Sequence, residues 1–103
     1  MKQPKEPQNR IVIGVAWYRP EQWQRIREIS SDSDDLEDTY EAWLSSAEQN
    51  LKEINVPGLH LHKVDVDSEQ LILWCNIRGL EVNAKTRSQY VMERVREMDN
   101  PAL

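Results

Sequence analysis

Two histidines two positions apart, one cysteine inside an apolar run and an arginine-tyrosine-arginine series near the C-terminus have types and spacings that could do chemistry. On a strand, residues two apart share a face, so His60 and His62 in H-L-H-K-V-D-V-D can present both imidazoles to one metal ion. Asp65 and Asp67 fall on the opposite face, and two ligands specify little. The pair is expected as two half-exposed strand histidines, with no metal and no cofactor; a metal-dependent enzyme using His60 and His62 ranks third among the readings. Cys75 would need an activating base and a depressed pKa to act as a nucleophile. Its neighbours Leu71, Leu73, Trp74 and Ile77 argue for a buried, inert thiol. The chain has no nucleophile elbow, phosphate loop or paired-cysteine motif, so no catalytic residue is assigned.

Arg87, Tyr90 and Arg94 recur at intervals of three and four, which places them on one helical ridge. Arginine and tyrosine are favoured at interface centres. The acidic stretch Asp32 to Asp38 supplies a complementary surface on a second copy. The ridge therefore predicts a homodimer or a protein partner. Lys85, Arg87, Arg94 and Arg96 also allow a nucleic-acid accessory role through a helix-turn-helix around Gly79. Glu81, Glu93 and Glu97 dilute that charge, and a net charge of -5 argues against broad attraction to nucleic acid or anionic membrane. This reading ranks second.

The elements that must carry these groups follow from periodicity and capping. Ile11 to Trp17 is an unbroken apolar, β-branched run with the length of a strand, expected as a central strand buried on both faces. Pro20 opens a helix with Trp23, Ile26 and Ile29 on one face. Asp34 with Glu37 forms a capping box for a long second helix through Leu36, Tyr40, Trp43, Leu44, Ala47, Leu51 and Ile54, which Pro57-Gly58 stops. Leu59 to Val66 is the second strand. Asp67 with Gln70 caps a third helix, with Val66 and Leu71 as its hydrophobic staple. The residues from Leu71 to Ile77 are apolar nearly all round, which predicts burial on several sides. Gly79 supplies a left-handed C-terminal cap, with Leu80 folding back on Cys75. Asn83 caps the fourth helix, whose Ala84, Ser88, Val91, Val95 and Met98 form an inward stripe.

The prediction is one α/β domain of strand-helix-helix-strand-helix-helix order, a two- or three-stranded sheet covered by four helices. The strand-to-strand connection suits a parallel, right-handed crossover. Because a two-stranded sheet is marginal alone, a third strand at Leu80 to Val82 or pairing across a dimer is expected. Residues 1–9 and 100–103 are expected as tails around a domain at 10–99. The lone cysteine, an N-terminus without the apolar core of a secretory signal, and the lack of any run approaching a membrane span predict a cytoplasmic protein. Four tryptophans and three tyrosines stand against no phenylalanine, a balance that favours contact surfaces, although Trp23, Trp43 and Trp74 lie on inward stripes.

At W-Y-R-P-E-Q-W, L-E-D-T-Y-E-A-W and R-S-Q-Y-V the chain resembles a family of short conserved hypothetical proteins from bacteria over residues 11–97. That family has no assigned activity, cofactor or catalytic residues. The resemblance implies a bacterial cytoplasmic setting and transfers no site. A protein-interaction module without catalysis, able to self-associate, is the function ranked first.

Overall fold

In the computed structural model, residues 11–99 are described, with side chains through Met98. The expected tails at 1–9 and 100–103 lie outside the described residues. The order is β1 (Ile11–Trp17), α1 (Pro20–Ile29), α2 (Tyr40–Glu53), β2 (Leu59–Asp65), α3 (Ser68–Arg78) and α4 (Ala84–Asp99), with a 3-10 turn at Ser33–Asp35. β1 and β2 pair in parallel, Ile11 opposite Leu59 and Trp17 opposite Asp65. This is the architecture read from the sequence. Among the described residues no third strand forms at Leu80 to Val82. Instead the Ser31 N–H and hydroxyl both donate to the Val82 carbonyl, at 2.8 and 3.2 Å.

Register partners in a parallel ladder share a face, so Val12, Gly14 and Ala16 lie with His60, His62 and Val64 on the side that α4 covers. The approach is very close at Gly14. A Cβ there would stand 2.5 Å from Val95 Cγ2 and 2.8 Å from Val91 Cγ1. The core continues from Val64, Val91 and Val95 through Val66, Leu71, Cys75 and Tyr90 to Tyr18, Trp23 and Ile26. On this side α1 and α3 pack against one another, and α3 packs on α4.

Local chemistry sets the helix ends. Asp67 accepts from the N–H groups of Glu69 and Gln70, both at 3.0 Å, which neutralises two donors left over at the start of α3. The return bond expected from Gln70 is not among the hydrogen bonds of the described residues; a third donor, Ser68 N–H, is taken by Gln22 of α1 at 2.8 Å. Gly79 is left-handed at φ 67°, Leu80 N–H donates to Cys75 O, and Gly79 N–H donates to Asn76 O. That is the predicted cap, although the Leu80 side chain remains 39% exposed. At α4, Asn83 accepts from Thr86 N–H and Thr86 Oγ1 accepts from Asn83 N–H, a reciprocal box with threonine in the third position.

β1 is not the doubly buried central strand expected: it is one of two strands, and Ile11 and Ile13 are 61% and 40% exposed. Three further expectations are corrected. First, α2 starts at Tyr40 rather than after Asp34, because Thr39 accepts from Ala42 N–H at 3.1 Å while Asp34 lies in the 3-10 turn. No residue of α2 is fully buried, and its hold on the body is aromatic. Trp43 meets Trp17, Tyr18, Trp23 and Tyr40 at centroid distances between 5.1 and 5.5 Å. Second, α3 is not core all round. Leu71 and Cys75 are buried, whereas Leu73 and Ile77 are 60% and 71% exposed. Third, the α4 stripe is rotated: Thr86, Arg87, Tyr90, Val91 and Val95 are buried, and Ala84, Ser88 and Met98 are exposed.

The corrected start of α2 is tested by a pair of variants. Thr39→Ala should cost about 1 kcal/mol in chemical denaturation, and Asp34→Ala should stay within about 0.5 kcal/mol of the parent. The reverse order would restore the capping box at Asp34.

Candidate interaction surface

The ridge of Arg87, Tyr90 and Arg94 is not an exposed surface. Arg87 is 8% exposed and Tyr90 4%, and only Arg94 faces solvent, paired with Glu97 at 3.3 Å. Arg87 does meet the acidic stretch, but within its own chain. Its guanidinium donates to both carboxylate oxygens of Asp32 at 2.9 Å and to the Ser30 hydroxyl at 2.9 Å. A planar fork matched to a carboxylate is the geometry that arginine favours when buried. The pair ties the start of α4 to the loop after α1. Burial pushes the Tyr18 hydroxyl pKa up, and the neighbouring Arg87 charge offsets part of that rise.

His60 and His62 stand on the α4 side of β2 with ring centroids 6.5 Å apart. Among the described residues no group of three or more His, Cys, Asp or Glu side chains gathers as a metal cluster. Asp65 is engaged by Arg19 at 2.8 Å, and Asp67 is a cap that also lies 3.7 Å from Arg19. Cys75 is buried among the core residues. No nucleophile, base and orienting group come together at any of these positions.

What the structure does bring together is an apolar face on α3. Leu73 and Ile77, one turn apart, stand beside Trp74 and Tyr90 along a groove of about 350 Å³ between α3 and α4. The lip of that groove is locked. Trp74 Nε1 donates to Glu93 at 3.0 Å, Arg78 lies over the Trp74 ring at 4.1 Å and also reaches Glu93, and the Tyr90 ring meets Trp74 edge-on at 5.7 Å. Tyr90 and Arg94 thus border this groove while Arg87 is turned away from it. Sequence reading passed over Leu73 and Ile77 because an all-apolar helix looks buried. The signal lay in the stop at Gly79 and the short connection to α4, which leave α3 too few neighbours to cover every side.

Comparison with protein-family models, characterised proteins and solved structures gives no match. Function must be argued from the surface itself. No helix among the described residues is long and apolar enough to cross a membrane.

The Asp32–Arg87 pair makes a pH prediction. Two hydrogen bonds from Arg87 hold the Asp32 carboxyl below its ordinary pKa. A carboxyl depressed on folding contributes stability that is present above its unfolded value of about 4 and lost as pH falls through the folded value. Asp32→Asn should therefore cost about 2–4 kcal/mol near neutral pH, since it leaves Arg87 buried against a neutral amide. The gap between variant and parent should narrow on acidification below about pH 4. A gap that stays constant down to pH 2 would show that the pair contributes nothing through ionisation.

Proposed function

We propose that the protein is a non-catalytic protein-interaction module of the bacterial cytoplasm, and that it docks a protein partner on the α3 face of Leu73 and Ile77. The observation that carries this reading is their exposure, 60% and 71%, on a helix whose other side is fixed by Leu71 and Cys75. Full burial of a leucine or isoleucine is worth about 1.5–3 kcal/mol, so covering this pair supplies a driving force that solvent leaves unused. Large apolar residues side by side on a rigid element mark docking surfaces more often than isolated ones do. The bordering Arg78, Glu93, Arg94 and Glu97 form a charged rim of the kind that surrounds such contacts. The lone buried thiol Cys75 fits a reducing interior.

The double variant Leu73→Ser with Ile77→Ser should fold as the parent does, because neither side chain is in the core. A protein captured by the parent, recombined with it in purified form and bound at one-to-one stoichiometry, should lose at least about tenfold in affinity to the double variant, or 1.4 kcal/mol. Equal affinity for parent and variant would remove the α3 face as the docking surface.

A further inference from the structure

The outer edge of β1, which no other strand among the described residues pairs with, forms a second surface, independent of the α3 face. Ile11 N–H donates to Gly58 O at 3.0 Å, and Trp17 O accepts from Val66 N–H at 3.3 Å. These bonds fix the orientation of the ladder: the odd-numbered residues of β1 turn their backbone groups toward β2. Val12, Gly14 and Ala16 therefore turn theirs outward. Among the described residues, no turn, loop or side-chain hydrogen bond reaches these groups. Native edge strands are usually blunted by a charge, a proline or a bulge. The seven residues of β1, I-V-I-G-V-A-W, contain neither a charge nor a proline. Ile11 and Ile13 on the face away from α4 are 61% and 40% exposed. Beside the edge, a groove of about 330 Å³ runs along α4, where the exposed residues Ala84 and Ser88 are small.

We propose that this edge pairs with the same edge of a second copy, antiparallel about a two-fold axis at Gly14, making one four-stranded sheet with the two β1 strands at its centre. The argument is self-complementarity. With Gly14 opposite the partner's Gly14, Val12 faces the partner's Ala16 and Ala16 the partner's Val12. In an antiparallel ladder such opposed residues exchange both N–H···O bonds. Every outward N–H and C=O of Val12, Gly14 and Ala16 is then satisfied at once; a shift of the register by one residue breaks this match. The intervening pairs set Ile13 against the partner's Val15 and Ile11 against the partner's Trp17, so the exposed apolar face becomes continuous. The same axis lays the two α4 helices antiparallel with opposed macrodipoles, the Lys85 end of one beside the Glu97 end of the other. A closed two-fold contact uses one patch twice and leaves no further edge of β1 free.

The experiment is light scattering on the full chain, combined with variants at the edge. The parent should have twice the mass of the 12.1 kDa chain. Ala16→Pro removes an outward donor without touching the bonds to β2, and it should raise the dimer dissociation constant at least about tenfold. Ile13→Cys with Val15→Cys should oxidise to a covalent dimer, because opposed non-hydrogen-bonded residues have Cα atoms close enough for a disulfide, and Ile13→Cys alone should not. A parent of monomer mass at every concentration overturns the proposal. So does a dimer unaffected by Ala16→Pro that gives no covalent dimer from the double cysteine chain. Should Ala16→Pro fail to fold, the cysteine pair decides alone. A dimer abolished by Leu73→Ser with Ile77→Ser would place self-association on α3 instead and overturn the proposal.

Discussion

The close seating of α4 on Gly14 is the constraint from which the rest of this fold follows. With hydrogen in place of a side chain at that position, Val91 and Val95 reach the strand backbone, and α4 lies chiefly over β1 rather than midway between the strands. Interiors pack at crystal-like density, so one methyl group between them would have to displace a helix. Once α4 is fixed, its first turns bring Arg87 to Asp32 and Ser30, and its middle brings Tyr90 and Glu93 to Trp74. The loop after α1 and the open side of α3 are thereby placed by a single contact.

That economy leaves apolar surface uncovered. One helix packed closely on two strands gives a core running along the strand-to-α4 contact, and the elements farther out are held by less. α2 depends on the aromatic group around Trp43, and α3 is anchored through Leu71, Cys75 and its capped ends. Leu73 and Ile77 on one side of the molecule, and Ile11 and Ile13 on another, are among the large apolar residues that the fold leaves exposed, as are Ile54, Val56, Leu80 and Met98. A small domain buries a modest share of its surface. The two surfaces lie on different elements, and their chemistry differs: side chains alone on α3, backbone groups together with side chains on β1.

Much of the architecture was legible in the sequence because it is dictated locally. Pro20, Asp67, Gly79 and Asn83 act within a turn of their own position, and the apolar run at Ile11 to Trp17 has no other reading of comparable length. Failures occurred where the answer depends on distant residues. Asp34 with Glu37 satisfies a local capping rule as well as Thr39 does, but Trp23 Nε1 donates to the Glu37 carbonyl and Ser46 to its carboxylate, holding that segment out of the helix. Arg87 was read as part of an exposed interaction ridge because its partner lies 55 residues away. Gly14 was read as part of an unbroken apolar run, although an isolated glycine inside a strand is a sign of close backbone approach. The candidate surface on α3 was hidden by composition, since hydrophobicity on all sides cannot say which side lacks a neighbour.

The seating of α4 is tested most directly by a double-mutant cycle between Gly14→Ala and Val95→Ala, read by chemical denaturation. Gly14→Ala alone should destabilise by about 1–3 kcal/mol through overpacking. In the Val95→Ala background, where the space for a Cβ has been opened, the same change should cost at least about 1 kcal/mol less, a coupling beyond the additivity of independent sites. Strictly additive effects, or a Gly14→Ala protein as stable as the parent, would contradict a fold built on this contact.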